Sequence, residues 1–340
     1  MKPLIRRTKI PFKEIILYGF FPSFIKKILL KIKGYKVGKN VKLSFGSVIV
    51  GKNVIIGDNV TLGLFSVIRA DIAEINSNVS IGPFTILDSL SIELGEDTVI
   101  NNNVVVGGLF SIYSSFKTGK RVKIGQHSFI NTTRPVEIGD DSGIGGNNQI
   151  FTHGSWLSSI EGFPASYGPV KIGKQVWLAW NVFIMPGVSL GDRVVVNACS
   201  MVTKSFRSNL LISGSPAKII IKNYPNKITN DQRNEILSII IKEFILYLEY
   251  YNYEVKKNGN IYSIFFRDNL KSKIIINDDN CNEQIDLCDN LLIKFGSNHC
   301  KSDYNMIIDL KKSQRIGTSK IGEEFIRFSS GYGIRLQRLQ

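Results

Sequence analysis

Aliphatic side chains recur every six positions through the middle of this 340-residue chain. Small or turn-forming residues follow many of them. The longest unbroken series ends at Val202, and its hexads open at Ile172, Leu178, Ile184, Leu190 and Val196. A helix needs apolar residues about every 3.6 positions and a half-buried strand needs them every second position, so this period fits neither element alone. It predicts a solenoid.

In a parallel β-helix each hexad supplies one short strand and one corner, and three hexads close a triangular coil. The corners need conformations that Gly, Asn and Asp adopt readily. The series opens at Val37 and has two long breaks, at 107–123 and 153–171. Insertions in a solenoid usually loop out on one face, often the binding face. We therefore expect the chemistry of this protein at the two breaks.

Residues 1–36 combine many Lys and Arg with a run of Ile, Leu and Phe, and Glu14 is their one acidic residue. The run is too short and too charged to span a bilayer, and no small-residue cleavage site follows it. The pattern predicts a basic amphipathic helix with two compatible roles. It could bind an anionic membrane surface, or it could cap the open end of the solenoid.

After Lys222 the hexads stop. Thr229 and the residues after it form an N-cap cluster ahead of an apolar helical pattern over 236–248. Strand-like runs follow at 261–266, 273–276, 291–295, 305–310, 325–328 and 333–336. These elements predict a small α+β domain with its own core, in which we recognise no motif. The expected segments are 1–36, 37–222 and 223–340.

The formal net charge of +15 permits a nucleic-acid partner, but the basic residues do not form a known nucleic-acid-binding motif. Their clustering with Phe and Ile favours a lipid surface or an acidic glycolipid instead. No C-x-x-C pair occurs among the four cysteines, Cys199, Cys281, Cys288 and Cys300. With no signal sequence, this predicts reduced thiols in a cytoplasmic protein, located at the inner face of the membrane if residues 1–36 bind it.

Of the three histidines, His153 has the setting expected of a functional residue, because it begins the second break. His127 lies within a regular hexad, where we expect a surface residue. Imidazole, with a pKa of about 6.5, can take a proton from a hydroxyl near neutral pH. Arg69 and Asp71 faintly suggest a γ-type carbonic anhydrase. That enzyme needs three histidines on one zinc ion, and the solenoid region has only two.

The second break and the hexads after it resemble the hexapeptide-repeat acyltransferases, most closely the galactoside, maltose and nodulation-factor O-acetyltransferase branch. The motifs that carry the resemblance are His153, Gly168-Pro-Val-Lys-Ile-Gly173, Trp177-Leu-Ala-Trp180, Pro186-Gly-Val188, Thr203-Lys204 and Pro216-Ala-Lys218. They lie between Asn131 and Lys222, with looser agreement back to Val37. The resemblance implies a homotrimer of left-handed parallel β-helices, with acetyl-CoA in the groove between neighbouring subunits.

The resemblance also implies roles for individual residues. His153 matches the catalytic base, and the backbone N–H of Trp180 matches the donor that holds the oxyanion of the tetrahedral intermediate. The expected acceptor-binding residues are Asn131, Trp156 and Tyr167. The expected coenzyme A-binding residues are Trp177, Ala179, Thr203, Lys204, Lys218 and Lys222. No metal is implied, and the bulky indole of Trp180 departs from the small residue that is usual in the family.

The leading hypothesis is acetyl transfer from acetyl-CoA to a hydroxyl of a carbohydrate, a sugar or a surface-polysaccharide precursor. N-acetylation of an amino sugar stays open. A non-catalytic trimeric scaffold is a third hypothesis, and it predicts that CoA does not raise the melting temperature. The acidic acceptor-loop positions of the family are missing after Asn131, so the sequence does not specify the acceptor.

Overall fold

The computed structural model describes residues 5–6, 11–266, 269–276, 289–294 and 304–339. Within it the chain forms two compact units, Met1–Asn226 and Lys227–Gln340. The thiol prediction for Cys281, Cys288 and Cys300, and the end of the predicted strand at Phe295, lie outside the described residues. The two units are described separately below.

The first unit is a three-sided parallel β-helix built from three sheets, which we call faces 1, 2 and 3 in the order the chain meets them. Face 1 contains Lys36–Val37, Asn53–Ile56, Ile72–Ile75, Ser91–Leu94, Ser115–Thr118, Val136–Ile138, Val170–Ile172 and Ser189–Leu190. Face 2 contains Lys42–Leu43, Thr61–Leu62, Ser80–Ile81, Val99–Ile100, Lys123–Ile124, Gly143–Ile144, Trp177–Leu178, Val195–Val196, Leu210–Gly214 and the antiparallel Ala217–Lys222. Face 3 contains Val48–Val50, Val67–Arg69, Ile86–Asp88, Val105–Gly107, Phe129–Asn131, Gln149–Ile150, Phe183–Ile184 and Met201–Val202.

The hexad residues explain this architecture. Their aliphatic side chains stack in one continuous core, where Ile130, Leu178 and Val196 are fully buried. Backbone N–H groups at the corners bond to carbonyls of the next coil, as Gly145 does to Leu178 at 2.8 Å. Many corners contain a left-handed residue, often Asn, which tolerates this conformation better than most residues. The predicted solenoid is confirmed.

The first predicted break is wrong over most of its length. Ser115–Thr118 is a regular strand of face 1, and Lys123 begins a strand of face 2, so only residues 108–114 leave the coil. Phe116 occupies the place that Ile92 and Val136 hold in the neighbouring coils, and it is buried in the core. The aliphatic hexad pattern does not include this coil, because an aromatic ring occupies its core position.

The second break is a true excursion. Its ends pair as a short antiparallel hairpin, His153–Gly154 with Ser166–Tyr167, and its middle contains one 3-10 turn, Ser159–Glu161. The chain then returns to face 1 at Val170. We call residues 153–169 the arm, and it leaves the β-helix at the corner between faces 3 and 1.

The N-terminal segment covers the open end of the first coil. It contains α1 (Phe12–Glu14), a π-helical turn (Ile15–Gly19) and α2 (Ser23–Ile32), after an isolated strand, Ile5–Arg6, that pairs with Phe110–Ser111. Leu30 joins the β-helix core. Lys26 is buried, donates to the carbonyls of Ser44 (2.6 Å) and Ser47 (3.0 Å), and has its pKa lowered to about 8 by burial. No helix among the described residues is both long and apolar enough to cross a bilayer.

The second unit packs two helices, α3 (Asn230–Tyr250) and α4 (Lys320–Ser329), with one sheet. The sheet contains Glu254–Asn258, Ile261–Phe266, Asn269–Ile276, Asp289–Lys294, Met306–Asp309, Gln314–Gly317 and Gln337–Arg338. Thr229 caps α3 through a reciprocal pair of hydrogen bonds with Gln232, as the sequence predicts. The predicted α+β class is confirmed.

Two predicted strands of this unit are wrong. Residues 325–328 belong to α4, where Phe325 is buried against Phe244 with ring centroids 5.2 Å apart. The Ser319 hydroxyl starts the helix by accepting from the N–H of Gly322 at 3.0 Å. Residues 333–336 only precede the strand Gln337–Arg338. The apolar residues of both runs were too few to distinguish a helical spacing from a strand.

Candidate functional site

Asn131 is the centre of a buried hydrogen-bond network at the corner between faces 3 and 1. Its side-chain oxygen, Oδ1, accepts from the backbone N–H of Thr133 at 3.1 Å and lies 2.8 Å from the hydroxyl of Thr152. The same Oδ1 lies 3.1 Å from Nδ1 of His153. Gly108 makes room for the amide, because a Cβ there would come within 2.4 Å of Nδ2 of Asn131.

This network fixes the tautomer of His153. A backbone N–H can only donate, so the atom that faces Thr133 must be the amide oxygen of Asn131. An amide oxygen can only accept, so Nδ1 of the neutral His153 ring must carry its hydrogen. The lone pair is therefore on Nε2. This is the state that a general base needs.

The surroundings also keep His153 neutral. Partial burial lowers the pKa of its imidazole below the ordinary value of 6.5, and the nearby positive charge of Arg134 lowers it further. Both effects disfavour the protonated ring. At neutral pH the ring is therefore present mainly as the free base.

Two tyrosines hold Arg134 beside this base. Its guanidinium carbon lies 4.8 Å from the ring centre of Tyr113 and 4.9 Å from that of Tyr167. Tyr167 in turn stacks on the imidazole of His153, with ring centres 5.9 Å apart. The cluster thus combines the short loop at 108–114, the end of face 3 and the far end of the arm. It presents one base, one guanidinium and two exposed phenol rings to solvent.

Trp180 lies on a different edge of the β-helix, between faces 2 and 3. In the described part of the chain its backbone N–H has no hydrogen-bond acceptor. At the edge between faces 1 and 2, the corresponding N–H of Lys174 is capped by Asp192 of the next coil at 2.8 Å. The residue stacked on Trp180 in the next coil is Ala198, which has no acceptor side chain. The free N–H can therefore donate to a ligand.

The predicted site residues fall into two groups, one on each edge of face 3. The edge between faces 3 and 1 carries Asn131, His153, Tyr167, Thr203 and Lys204. The edge between faces 2 and 3 and the adjoining part of face 2 carry Trp177, Ala179, Trp180 and Lys218. Lys222 pairs with Leu210 and therefore lies at the other end of face 2, toward face 1. About six residues of nearly extended chain separate Trp180 from the opposite edge of face 3. At about 3.3 Å per residue, the distance is on the order of 20 Å. One chain does not bring the two groups together.

Trp156 is the remaining predicted acceptor residue, and it is 95% exposed in the arm. Among the described residues it contacts no other ring. Asn131 is almost fully buried, and its oxygen is already shared by three donors. Its contacts give it a positioning role toward His153, while direct contact with an acceptor stays a prediction.

Sequence reasoning missed Tyr113 and Arg134. Tyr113 lies in the first break, which the sequence marked as a place for chemistry without singling out a residue, and Arg134 belongs to no motif. Only the fold brings the two side chains to His153. Within the described residues no three His, Cys, Asp or Glu side chains are grouped so that they could hold a metal ion. The β-helix contains two histidines, His127 and His153, whereas the zinc ion of a γ-type carbonic anhydrase needs three.

Known proteins were compared with this chain. A family model described as the hexapeptide repeat of succinyl-transferase matches residues 169–204. The protein named "Putative colanic acid biosynthesis acetyltransferase WcaF" of Escherichia coli (strain K12) is 34% identical over 123 residues, which are 36% of this chain and 67% of that protein. The chloramphenicol acetyltransferase of Morganella morganii is 30% identical over 168 residues, 40% of this chain and 75% of that protein.

One solved structure also aligns with part of the chain. The crystal structure of the polySia specific acetyltransferase NeuO aligns with 58% of this chain and 83% of its own, at 23% identity and a TM-score of 0.42. Because of its similarity to these sequence relatives and its match to the repeat, the chain belongs to the hexapeptide-repeat acyltransferases. The predicted family, the left-handed parallel β-helix and the class of acyl-CoA-dependent O-acetyltransferases are confirmed.

Proposed function

We propose that this enzyme transfers an acetyl group from acetyl-CoA to a hydroxyl of a carbohydrate acceptor, a sugar or a surface-polysaccharide precursor. The observation that carries the proposal is His153, a neutral imidazole whose Nδ1 is bound to Asn131 and whose Nε2 has no hydrogen-bond partner among the described residues. The relative named for colanic acid biosynthesis supports a carbohydrate acceptor.

The proposed step is a direct transfer. The hydroxyl oxygen of the acceptor bonds to the thioester carbonyl carbon while its proton moves to Nε2 of His153. The negative charge on the former carbonyl oxygen is held by the free N–H of Trp180. When the tetrahedral intermediate collapses, the carbon–sulfur bond breaks and the imidazolium returns its proton to the leaving thiolate. No covalent acyl-enzyme is required.

The proposed step needs two copies of the chain. His153 and Trp180 lie on opposite edges of face 3, so one chain cannot hold both ends of the same thioester. A neighbouring copy with its edge between faces 2 and 3 against the His153 edge would bring them together. This agrees with the homotrimer that the family resemblance implies, in which each subunit contributes one edge to each of two sites.

The coenzyme A site follows the same division. Thr203 and Lys204 would contact it from the His153 edge, and Trp177, Ala179 and Lys218 from the opposite edge of the neighbour. Lys222 would add positive charge from the far end of face 2. All four polar side chains named here are exposed, and three of them are lysines. Lysine ammonium groups bind phosphates as point charges. The set therefore fits a nucleotide diphosphate better than an apolar ligand.

The test is acetyl-CoA-dependent release of free thiol with a panel of sugars, nucleotide sugars and cell glycans. We expect release only with hydroxyl-bearing carbohydrates, together with a higher melting temperature in the presence of CoA. A scaffold without activity would show neither effect. Release with amines alone would contradict O-acetylation.

The charge of Arg134 gives a pH prediction. Since this charge lowers the pKa of His153, Arg134→Gln should raise that pKa. The base form is lost as pH falls through the pKa, so the acid limb of kcat against pH should lie below pH 6.5 in the wild type and move upward in the variant. A pH–rate profile of both proteins measures this shift. An unmoved acid limb would contradict the electrostatic role of Arg134.

Asn131 gives a positioning prediction. Asn131→Ala removes the acceptor of Nδ1, and we expect kcat to fall about 10²-fold, the cost of a misplaced catalytic group. Asn131→Asp keeps an acceptor there, so it should recover part of the rate. Its carboxylate should also raise the pKa of His153 and move the acid limb upward. If Ala and Asp variants have equal rates and equal profiles, Asn131 does not position the base.

A further inference from the structure

The outward side of the N-terminal cap is apolar although it faces solvent. Phe24, Ile28 and Ile32 follow each other at four-residue spacing along α2, so they form one stripe, and they are 61%, 54% and 76% exposed. In the residues before α2, the apolar side chains of Phe12, Ile16, Leu17 and Phe21 are exposed as well. We call these seven residues the cap surface. Exposed apolar patches of this kind mark interaction sites.

Capping the β-helix does not explain the cap surface. The inward side of the segment caps the β-helix. Leu30 enters the core, Lys26 donates to the carbonyls of Ser44 and Ser47, and the hydroxyl of Ser23 accepts from the N–H of Leu43 at 2.9 Å. A terminal cap that only closes a solenoid needs a polar outer face to stay in water. Here the outer face is apolar, so it has a second partner.

The charges around the cap surface indicate what that partner is. Five lysines with solvent-accessible side chains are interspersed with its apolar residues or follow them: Lys13, Lys27, Lys31, Lys33 and Lys36. Glu14 is the one acidic residue within 11–36. Protein–protein interface cores are depleted in lysine, whereas helices that lie in a membrane interface combine Lys with Phe and Leu.

We propose that the cap surface binds the surface of a bilayer that contains anionic lipids. Phe24, Ile28 and Ile32 insert at the boundary between headgroups and acyl chains, and Lys27 and Lys31 contact the anionic headgroups. The helix lies in the plane of the interface, since its ten residues are too few to cross the bilayer. Such binding would hold the enzyme at the cytoplasmic face of the membrane. It is independent of the acceptor proposed above.

The test is co-sedimentation of the full-length protein with vesicles of phosphatidylcholine alone or mixed with phosphatidylglycerol. We expect binding to the mixed vesicles at least about tenfold tighter than to the neutral ones, and weaker at high salt. Phe24→Ser with Ile28→Ser should weaken binding to the mixed vesicles at least about tenfold. Lys27→Glu with Lys31→Glu should remove the preference for anionic lipid.

The matched control is Ile236→Ser with Ile239→Ser, which removes two exposed apolar side chains of α3. This control should bind vesicles like the wild type, and all variants should keep the wild-type melting temperature and acetyl transfer to a soluble acceptor. Equal binding by the Phe24–Ile28 variant and the wild type would overturn the proposal. So would a smaller oligomer of that variant without vesicles, because the cap surface would then contact a second copy.

Discussion

His153→Ala should lower kcat for acetyl transfer by about 10²–10⁴-fold, the usual contribution of a positioned general base. The physical reason is the free Nε2: Asn131 holds the proton on Nδ1, so no other atom of the ring can take the acceptor proton. The KM for acetyl-CoA and the melting temperature should change little, because the ring is only partly buried and stacks on the exposed Tyr167. Steady-state kinetics and thermal unfolding measure these effects.

The chain supplies a matched control for this variant. His127 is an exposed histidine at a regular corner of the same β-helix. His127→Ala therefore makes the same chemical change away from the Asn131 network, and it should keep the wild-type kcat. If both variants lose activity equally, or neither does, His153 is not the base.

Mixing two inactive variants should restore activity. Trp180→Pro removes the backbone N–H that we propose for the oxyanion, and kcat should fall about 10²–10³-fold. Pro83 occupies the corresponding corner position of an earlier coil, so the fold accommodates proline there. Trp180→Phe keeps the N–H and should keep most of the rate. Comparing the two variants separates the contribution of the backbone amide to kcat from that of the indole ring.

The restored activity follows from the division of the site between copies. When His153→Ala and Trp180→Pro chains assemble at random, about a quarter of the sites receive an intact His153 from one chain and an intact Trp180 from its neighbour. Activity of refolded or co-expressed mixtures should therefore rise toward about a quarter of the wild type, far above either parent. Mixtures no better than the parents would show that each site lies within one chain.

The sequence predicted the fold well where the repeat was regular. The period of six reflects a local requirement, one buried aliphatic residue and one corner in each hexad, so it is readable without tertiary information. It failed at Phe116, because the core position accepts a large ring that the pattern search did not. The strand prediction at Phe325 also failed because of tertiary structure. Packing against Phe244 and the N-cap at Ser319 stabilise a helix there.

The candidate site was predictable only in part. His153 stood out because it opens a break in the repeat, but the partner of its Nδ1 depends on Asn131, which is one coil away. Arg134 and Tyr113 approach Tyr167 only through the fold, and no short motif records that contact. The separation of His153 from Trp180 by a whole face is also invisible in the sequence. It became clear once their strands were placed on faces.

Direct O-acetylation of a carbohydrate with His153 as the base can be tested by mass spectrometry of the glycan panel after incubation with acetyl-CoA. The products are analysed before and after mild alkaline treatment, which cleaves esters and leaves amides intact. We expect a glycan that gains one acetyl group with the wild type, loses it in alkali, and is not acetylated at a comparable rate by His153→Ala. An alkali-stable product, or equal product from the His153→Ala enzyme, would contradict it.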